Sequence, residues 1–150
     1  MGQQQLLLIV LGVIIVGIAI AVGISMFKSN AQSSNRDQVI NDLNNLAAKA
    51  QQYYRKPTAM AGGGQTFTGF YLANIDTGNA NGSYQVLGTS APTSFTQVVT
   101  TSYDTAATSS PNLQTIYILG EGTEVGNDGT NKVEAVATVT QNGITTRVLN

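Results

Sequence analysis

Residues 1–27 read MGQQQLLLIVLGVIIVGIAIAVGISMF, three glutamines followed by an apolar run with no charged side chain before Lys28. Within residues 6–27 Ser25 is the only polar side chain. A helix of that stretch would be roughly 33 Å long, enough to cross a hydrocarbon core of about 30 Å. Gly12, Gly17 and Gly23 interrupt the Ile, Val and Leu. Glycine weakens a helix in water but lets helices approach closely in lipid or in a dry bundle. A spacing of five and six does not make the GxxxG dimer motif. A secretory signal cut near Ser29-Asn30-Ala31 would have a basic start and an apolar core of about 7–15 residues. The basic start is missing and the core is too long. An ordinary single-span anchor fits the charges poorly, because Lys28 and Arg36 follow the span and would hold the polar body in the cytoplasm. A short basic leader removed ahead of Met1 would resolve that conflict.

The next stretch, KSNAQSSNRDQVINDLNNLAAKAQQYYRKP, changes character. Val39, Leu43, Leu46, Ala50 and Tyr53 recur at a 4-3-4-3 spacing, one apolar stripe on a helix, with Asp37, Asp42, Asn44, Asn45, Lys49 and Gln52 on other faces. Ser33 and Ser34 would suit the start of a separate helix, but no proline lies between Phe27 and Val39. One long helix over about residues 3–55 is therefore expected, loosened somewhere among the glycines or residues 29–34 and ended by Pro57.

From Pro57 onward the period becomes two. After a turn or joint at Gly62-Gly63-Gly64, the runs TFTGFYLANI, SYQVLG, SFTQVVTTSY, LQTIYILG, KVEAVATVTQ and GITTRVLN read as short strands. Asn142-Gly143 between two alternating runs predicts a hairpin with a type I′ turn. The expected fold is α+β, a long N-terminal helix packed on an antiparallel sheet. Residues 1–56 would be the extended helix, with 1–27 its apolar segment, and residues 57–150 the β-rich head.

Composition excludes much. Charged residues are 10% of the chain, and the seven Lys and Arg are scattered, so no basic footprint for nucleic acid forms. Cysteine and histidine are both absent, which removes thiol chemistry, disulfides and His-based metal or acid–base sites. No cofactor is implied. Glu121, Glu124, Asp128 and Glu134 offer oxygen ligands for calcium, but their spacing is not that of an EF-hand and NDG is an ordinary turn. Asn81-Gly82-Ser83 matches the N-glycosylation acceptor pattern. Asp76 and Asp104 are the carboxylates a cell-wall hydrolase would need, with no His, Cys or GxSxG beside them. Tyr53, Tyr54, Phe70 and Tyr71 read as core aromatics.

An apolar N-terminal helix, its amphipathic continuation and a polar antiparallel head resemble the type IV pilin superfamily. The resemblance covers the whole architecture, while its specific sequence signal is confined to roughly the first 30 residues. It implies that a leader peptidase trims the chain, that the new N-terminus is methylated, and that the apolar helices leave the membrane to bundle as a filament core. One departure stands out: Gln5 occupies the place of a glutamate that pairs with a neighbour's N-terminus in that family. A neutral amide costs less to bury than a carboxylate, so Gln3, Gln4 and Gln5 would either substitute amide hydrogen bonds for charge pairing or only mark the membrane–water boundary. The departure points to a divergent member, an archaeal relative or a pseudopilin of a secretion system.

The reading that follows is a structural subunit of an extracellular type IV pilus-like filament on the cell surface. Its partners would be copies of itself, the inner-membrane assembly machinery and leader peptidase, and the lipid of the cytoplasmic membrane before assembly. Self-assembly would engage Met1, Gln3, Gln4, Gln5, Leu6, Val10, Val13, Ile14, Gly17, Ile20 and Ile24. The alternative is a membrane-anchored, monomeric adhesion or binding domain; enzyme activity is not expected.

Overall fold

A computed structural model describes residues 2–88 and 112–150. The expected strand at residues 94–103 and the carboxylate Asp104 lie outside the described residues. A single helix, α1, runs Gly2–Arg55 without interruption. Neither the glycines nor residues 29–34 loosen it, contrary to expectation. No proline enters it, and each glycine weakens a helix by only about 1 kcal/mol against alanine.

The head adds four strands: β1 Gly82–Leu87, β2 Thr115–Val125, β3 Lys132–Thr140 and β4 Ile144–Val148. They form one antiparallel sheet in the order β1-β2-β3-β4. The expected long helix on an antiparallel sheet is thus present. The C-terminal half of α1 crosses β2, β3 and β4. It buries Val39, Leu43, Leu46, Ala47 and Ala50 against Tyr84, Val86, Ile116, Ile118, Ala135, Ala137 and Val139. The opposite sheet face carries a smaller cluster around Leu119 and Val136.

The apolar stripe ends differently from the sequence expectation. Tyr54 is the buried tyrosine; Tyr53 lies half-buried at the margin, its hydroxyl donating to Thr68 O at 3.0 Å. A 4-3-4-3 stripe averages 3.5 residues per turn and drifts about 20° per heptad on a 3.6-residue helix, so Tyr53 and Tyr54 flank the seam. Tyr54 packs on Phe67 with ring centroids 4.8 Å apart, and Tyr53 on Phe70 at 5.5 Å. Tyr71 is 60% exposed and not core.

Residues 66–75 do not form the expected strand. Gly69 has φ 82°, and Phe70 N–H donates to Phe67 O at 3.0 Å, closing a turn inside the run. Phe67, Phe70 and Leu72 are buried at spacings of three and two instead of strict alternation. A short 3₁₀ turn, Asn74–Asp76, ends the segment. The triple glycine is a tight turn against the helix end: Gly63 N–H donates to Tyr53 O at 2.8 Å, and a Cβ there would overlap Thr66 O.

The β3–β4 hairpin is present, but its tip is not type I′. Gln141-Asn142 forms its centre, and neither Asn142 nor Gly143 takes the positive φ that a type I′ turn requires. Thr140 closes it instead, donating its N–H (2.9 Å) and its hydroxyl (3.0 Å) to Gly143 O.

Leu43 is fully buried at the centre of the helix–sheet seam. Leu43→Ala is expected to cost about 2–5 kcal/mol, a fall on the order of 10 °C in the unfolding midpoint of the detergent-solubilised chain. A shift no larger than that of an exposed-site control such as Gln52→Ala would contradict this packing.

Candidate functional site

The feature that stands out is the uncovered half of α1. Residues 2–30 are exposed throughout. Every large apolar side chain over residues 6–27 is open, from Leu11 at 50% to Phe27 at 77%. A helix that is apolar on all sides belongs inside a membrane or a protein core, not in water. A cylinder roughly 33 Å long and 10 Å across carries on the order of 1,000 Å² of lateral surface. That exceeds the largest apolar patch of an ordinary monomer, about 300–600 Å². At about 25 cal/mol per Å² its exposure to water would cost on the order of 25 kcal/mol. The segment passes the length and composition test for a membrane span, with a mean hydropathy of 3.2.

Of the expected self-assembly residues, Leu6, Val10, Val13, Ile14, Gly17, Ile20 and Ile24 all lie on this rod. Gln3, Gln4 and Gln5 are exposed on its first turns, and Met1 lies outside the described residues. Nothing lies within 4 Å of the Cβ position at Gly12, Gly17 or Gly23, so those glycines make grooves in the rod's surface.

A neck fixes rod to head. Asn35 is 5% exposed on the sheet-facing side of α1. Its Nδ2 donates to Asn81 O (2.9 Å) and Thr123 Oγ1 (3.2 Å), and its Oδ1 accepts from the N–H groups of Thr123 (3.2 Å) and Glu124 (3.3 Å). Those two N–H groups are free because β2 bulges there. Between the pairs Glu121↔Glu134 and Val125↔Lys132, β2 advances four residues while β3 advances two. Gly122 makes room, since a Cβ on it would overlap Asn35 Oδ1. The sequence reading passed over Asn35, whose partners lie 46 to 89 residues away in the chain.

A second polar knot ties the helix to the segment before β1. Asp42 Oδ2 accepts from Asn79 Nδ2 (2.8 Å), Asn81 Nδ2 (3.0 Å) and the Tyr84 hydroxyl (2.7 Å). Burial raises the Asp42 pKa, but these three donors outweigh it and hold the carboxyl below its ordinary range. Burial, and then Asp42 itself, push the Tyr84 phenol above its ordinary range. The knot lines an open cleft of about 440 Å³ with Asn45, Lys49, Ile75 and Asp76. Asp76 is tied to Lys49 at 2.6 Å, which places the expected hydrolytic carboxylate in an ion pair. Asn81, the glycosylation candidate, already uses its amide nitrogen on Asp42.

The calcium candidates do not converge. Among the described residues no three carboxylates gather. Asp128 is occupied within its turn by the N–H groups of Thr130 and Asn131, both at 3.0 Å. Glu121 pairs with Lys132 at 2.7 Å, and Glu124 is exposed and turned to solvent. Glu134 sits opposite Glu121, 5% exposed, where burial and then the charges of Glu121 and Asp128 hold its carboxyl above the ordinary range. No protein-family model matches the chain, and no curated protein or solved structure matches it either. The geometry therefore carries the functional argument.

Asn35→Ala removes the acceptor of two partly buried N–H groups and the buried amide itself, and is expected to cost about 1–3 kcal/mol in a denaturant titration of the solubilised chain. No change in midpoint would remove Asn35 from the neck. Asp42 and Glu134 should act with opposite signs on stability against pH. The depressed Asp42 pKa stabilises the fold above the ordinary value of 3.8, a gain lost as pH falls through the folded pKa. The raised Glu134 pKa destabilises the fold as pH rises past the ordinary 4.5. Asp42→Asn should therefore lower the melting point at neutral pH, by an amount that shrinks as the pH falls below the ordinary 3.8, and Glu134→Gln should raise it at neutral pH. Parallel shifts of both variants at all pH values would contradict these assignments.

Proposed function

We propose that this chain is the repeating subunit of an extracellular type IV pilus-like filament, polymerising through residues 6–27. The carrying observation is the bare apolar rod, rigidly continuous with a helix that its own head has already covered. Among the described residues, the head satisfies its core internally and none covers the rod. Copies of the rod are the cover that a filament supplies, and lipid of the cytoplasmic membrane is the cover before assembly. Extraction from lipid gains little from apolar burial alone, so tight helix packing and the membrane-resident assembly machinery drive it. The exposed glutamines at the start of the rod are the donors and acceptors available to neighbouring chains there, and a neutral amide is tolerated in a dry bundle where an unpaired carboxylate is not. The head, with few charges and no assembled catalytic group among the described residues, serves as the filament's polar surface.

Two substitutions test this in cells that produce the chain, read as fibre in the sheared fraction and as chain in the membrane. Val13→Asp places a charge costing about 2.5–3.5 kcal/mol at the middle of the rod and should lower fibre yield by roughly tenfold or more. Gly17→Leu is welcome to lipid and meets nothing in the monomer, but it fills a groove that neighbouring helices would use. It should leave the membrane pool unchanged and deplete the fibres. Sheared fractions free of wild-type fibre, with all of the chain extracted by detergent as a monomer, would support the membrane-anchored binding domain instead.

A further inference from the structure

The segment before β1, folded as turns instead of a strand, leaves a trough beside α1. Asp42, Asn45, Lys49 and Tyr53 fall within a sector of about 80° on one flank of the helix. Residues 70–79 face them, and the two walls enclose depressions of about 440 Å³ and 240 Å³ that share Lys49 and Asp76. A third, of about 480 Å³, continues past Tyr53 to Lys56. From Asp42 to Lys56 the trough runs roughly 21 Å along the helix axis. Outside the rod, Met60, Tyr71 and Ile75 are the large apolar side chains left exposed among the described residues, and Tyr71 and Ile75 both line the trough. The polar groups between them are fixed but unfinished. All three donors to Asp42 converge on Oδ2, so they hold the carboxylate in place and leave Oδ1 without a partner. Asp76 meets Lys49 through Oδ1 alone. The Asn45 side chain, exposed on the same flank, bonds to none of the described residues. Among those residues the unpartnered polar atoms closed off from outside belong to Arg36, so both free carboxylate oxygens are open to the trough.

We infer that this trough binds a neutral saccharide chain, whose hydroxyls donate to Asp42 Oδ1 and Asp76 Oδ2 and whose C–H faces rest on Tyr71 and Ile75. A sugar ring has an apolar face and a rim of hydroxyls, and the trough sets the complements of both side by side, as ligand sites generally do. An ionised carboxylate only accepts, and an O–H donating to it makes one of the stronger hydrogen bonds. The Asn45 amide and the remaining N–H groups of Lys49 are donors for ring and hydroxyl oxygens. Because three bonds already hold Asp42, its free oxygen has little freedom to lose on binding. Charge favours a neutral ligand. The lining sets Asp42 and Asp76 against Lys49 and Lys56, two charges of each sign. A cationic ligand would compete with Lys49 for Asp76, and an anionic one would meet the two free oxygens. The trough begins 15 residues beyond Phe27, roughly 22 Å along the axis, so the inference holds with the rod covered by other copies or by lipid.

The test uses the full-length chain solubilised in dodecylphosphocholine, a detergent whose headgroup carries no sugar to compete. Cellotriose, mannotriose, galactotriose and N-acetylchitotriose are titrated by saturation-transfer NMR and calorimetry, with the cationic chitosan trimer and the anionic trigalacturonate as charged counterparts. At least one neutral trimer should bind with a dissociation constant on the order of 1 mM, changing less than about twofold between low and physiological salt. Asp76→Ala and Tyr71→Ala should each weaken that binding roughly tenfold. Neither should move the unfolding midpoint much, because Lys49 of the ion pair and Tyr71 are both more than half exposed. Thr145→Ala, a change at an exposed site on β4, should bind as wild type does. The inference is overturned if no neutral trimer approaches saturation by about 10 mM. It is also overturned if the chitosan trimer binds more tightly than its acetylated twin, if trigalacturonate binds more tightly than every neutral trimer, or if Asp76→Ala and Tyr71→Ala bind as wild type does.

Discussion

The structure depends on one helix axis passing unbroken between two surroundings. The first half of α1 is left bare by the described residues, while the second half is covered by the chain's own sheet. With no proline, loosened turn or change of helix type between them, the direction of the rod is set by how residues 35–54 lie on the sheet. That contact is close because the sheet is lined with small residues where the helix crosses. Gly120, Gly122, Ala135 and Ala137 face α1, and a Cβ on Gly120 would already stand 3.0 Å from Val39 Cγ1. Substituting bulk there would lift the helix and re-aim the rod with it.

The sequence showed this plan unevenly, for physical reasons. Composition alone marked the rod, since a long run without charge has few possible environments. The stripe from Val39 to Ala50 marked the covered half, since an amphipathic period survives any detail of the partner. The hairpin of β3 and β4 followed from alternation, although the tip residues were misplaced because Thr140 closes the turn through its side chain and relieves Asn142 of positive φ. Residues 66–75 misled because threonine and aromatic residues suggest a strand, while Gly69 and the local turn decide otherwise. Asn35 and Asp42 were illegible. In isolation, asparagine among serines reads as a helix break, and its role exists only once the β2 bulge presents two free N–H groups.

Amides and hydroxyls, more than charges, join the helix to the head. Besides Asn35 there are Gln51 donating to Thr140 O at 3.1 Å and Thr146 donating to Asn44 Oδ1 at 2.8 Å. At the helix end the Tyr54 hydroxyl lies between Gln114 and Gln141. The ion pairs Lys49–Asp76 and Lys132–Glu121 have lysines more than half exposed and contribute little, as surface pairs generally do. Bonds between neutral dipoles are screened far less by salt than exposed charges are. A head held this way keeps its grip on the rod across wide changes of ionic strength.

In the proposed filament, the rod would supply affinity and its polar end groups direction. Apolar burial is strong but non-directional, so a cylinder that is greasy on every side binds its like without choosing an angle or a height. Left alone, such a surface gives disordered clumping as readily as an ordered bundle. In the proposed filament, direction would have to come from groups that lose free energy when misaligned, and the amides of Gln3, Gln4 and Gln5, exposed at the start of the rod, are such groups. Affinity would then reside in the interior of the rod, which can consist of interchangeable Ile, Val and Leu because none of them has to set the angle or the height.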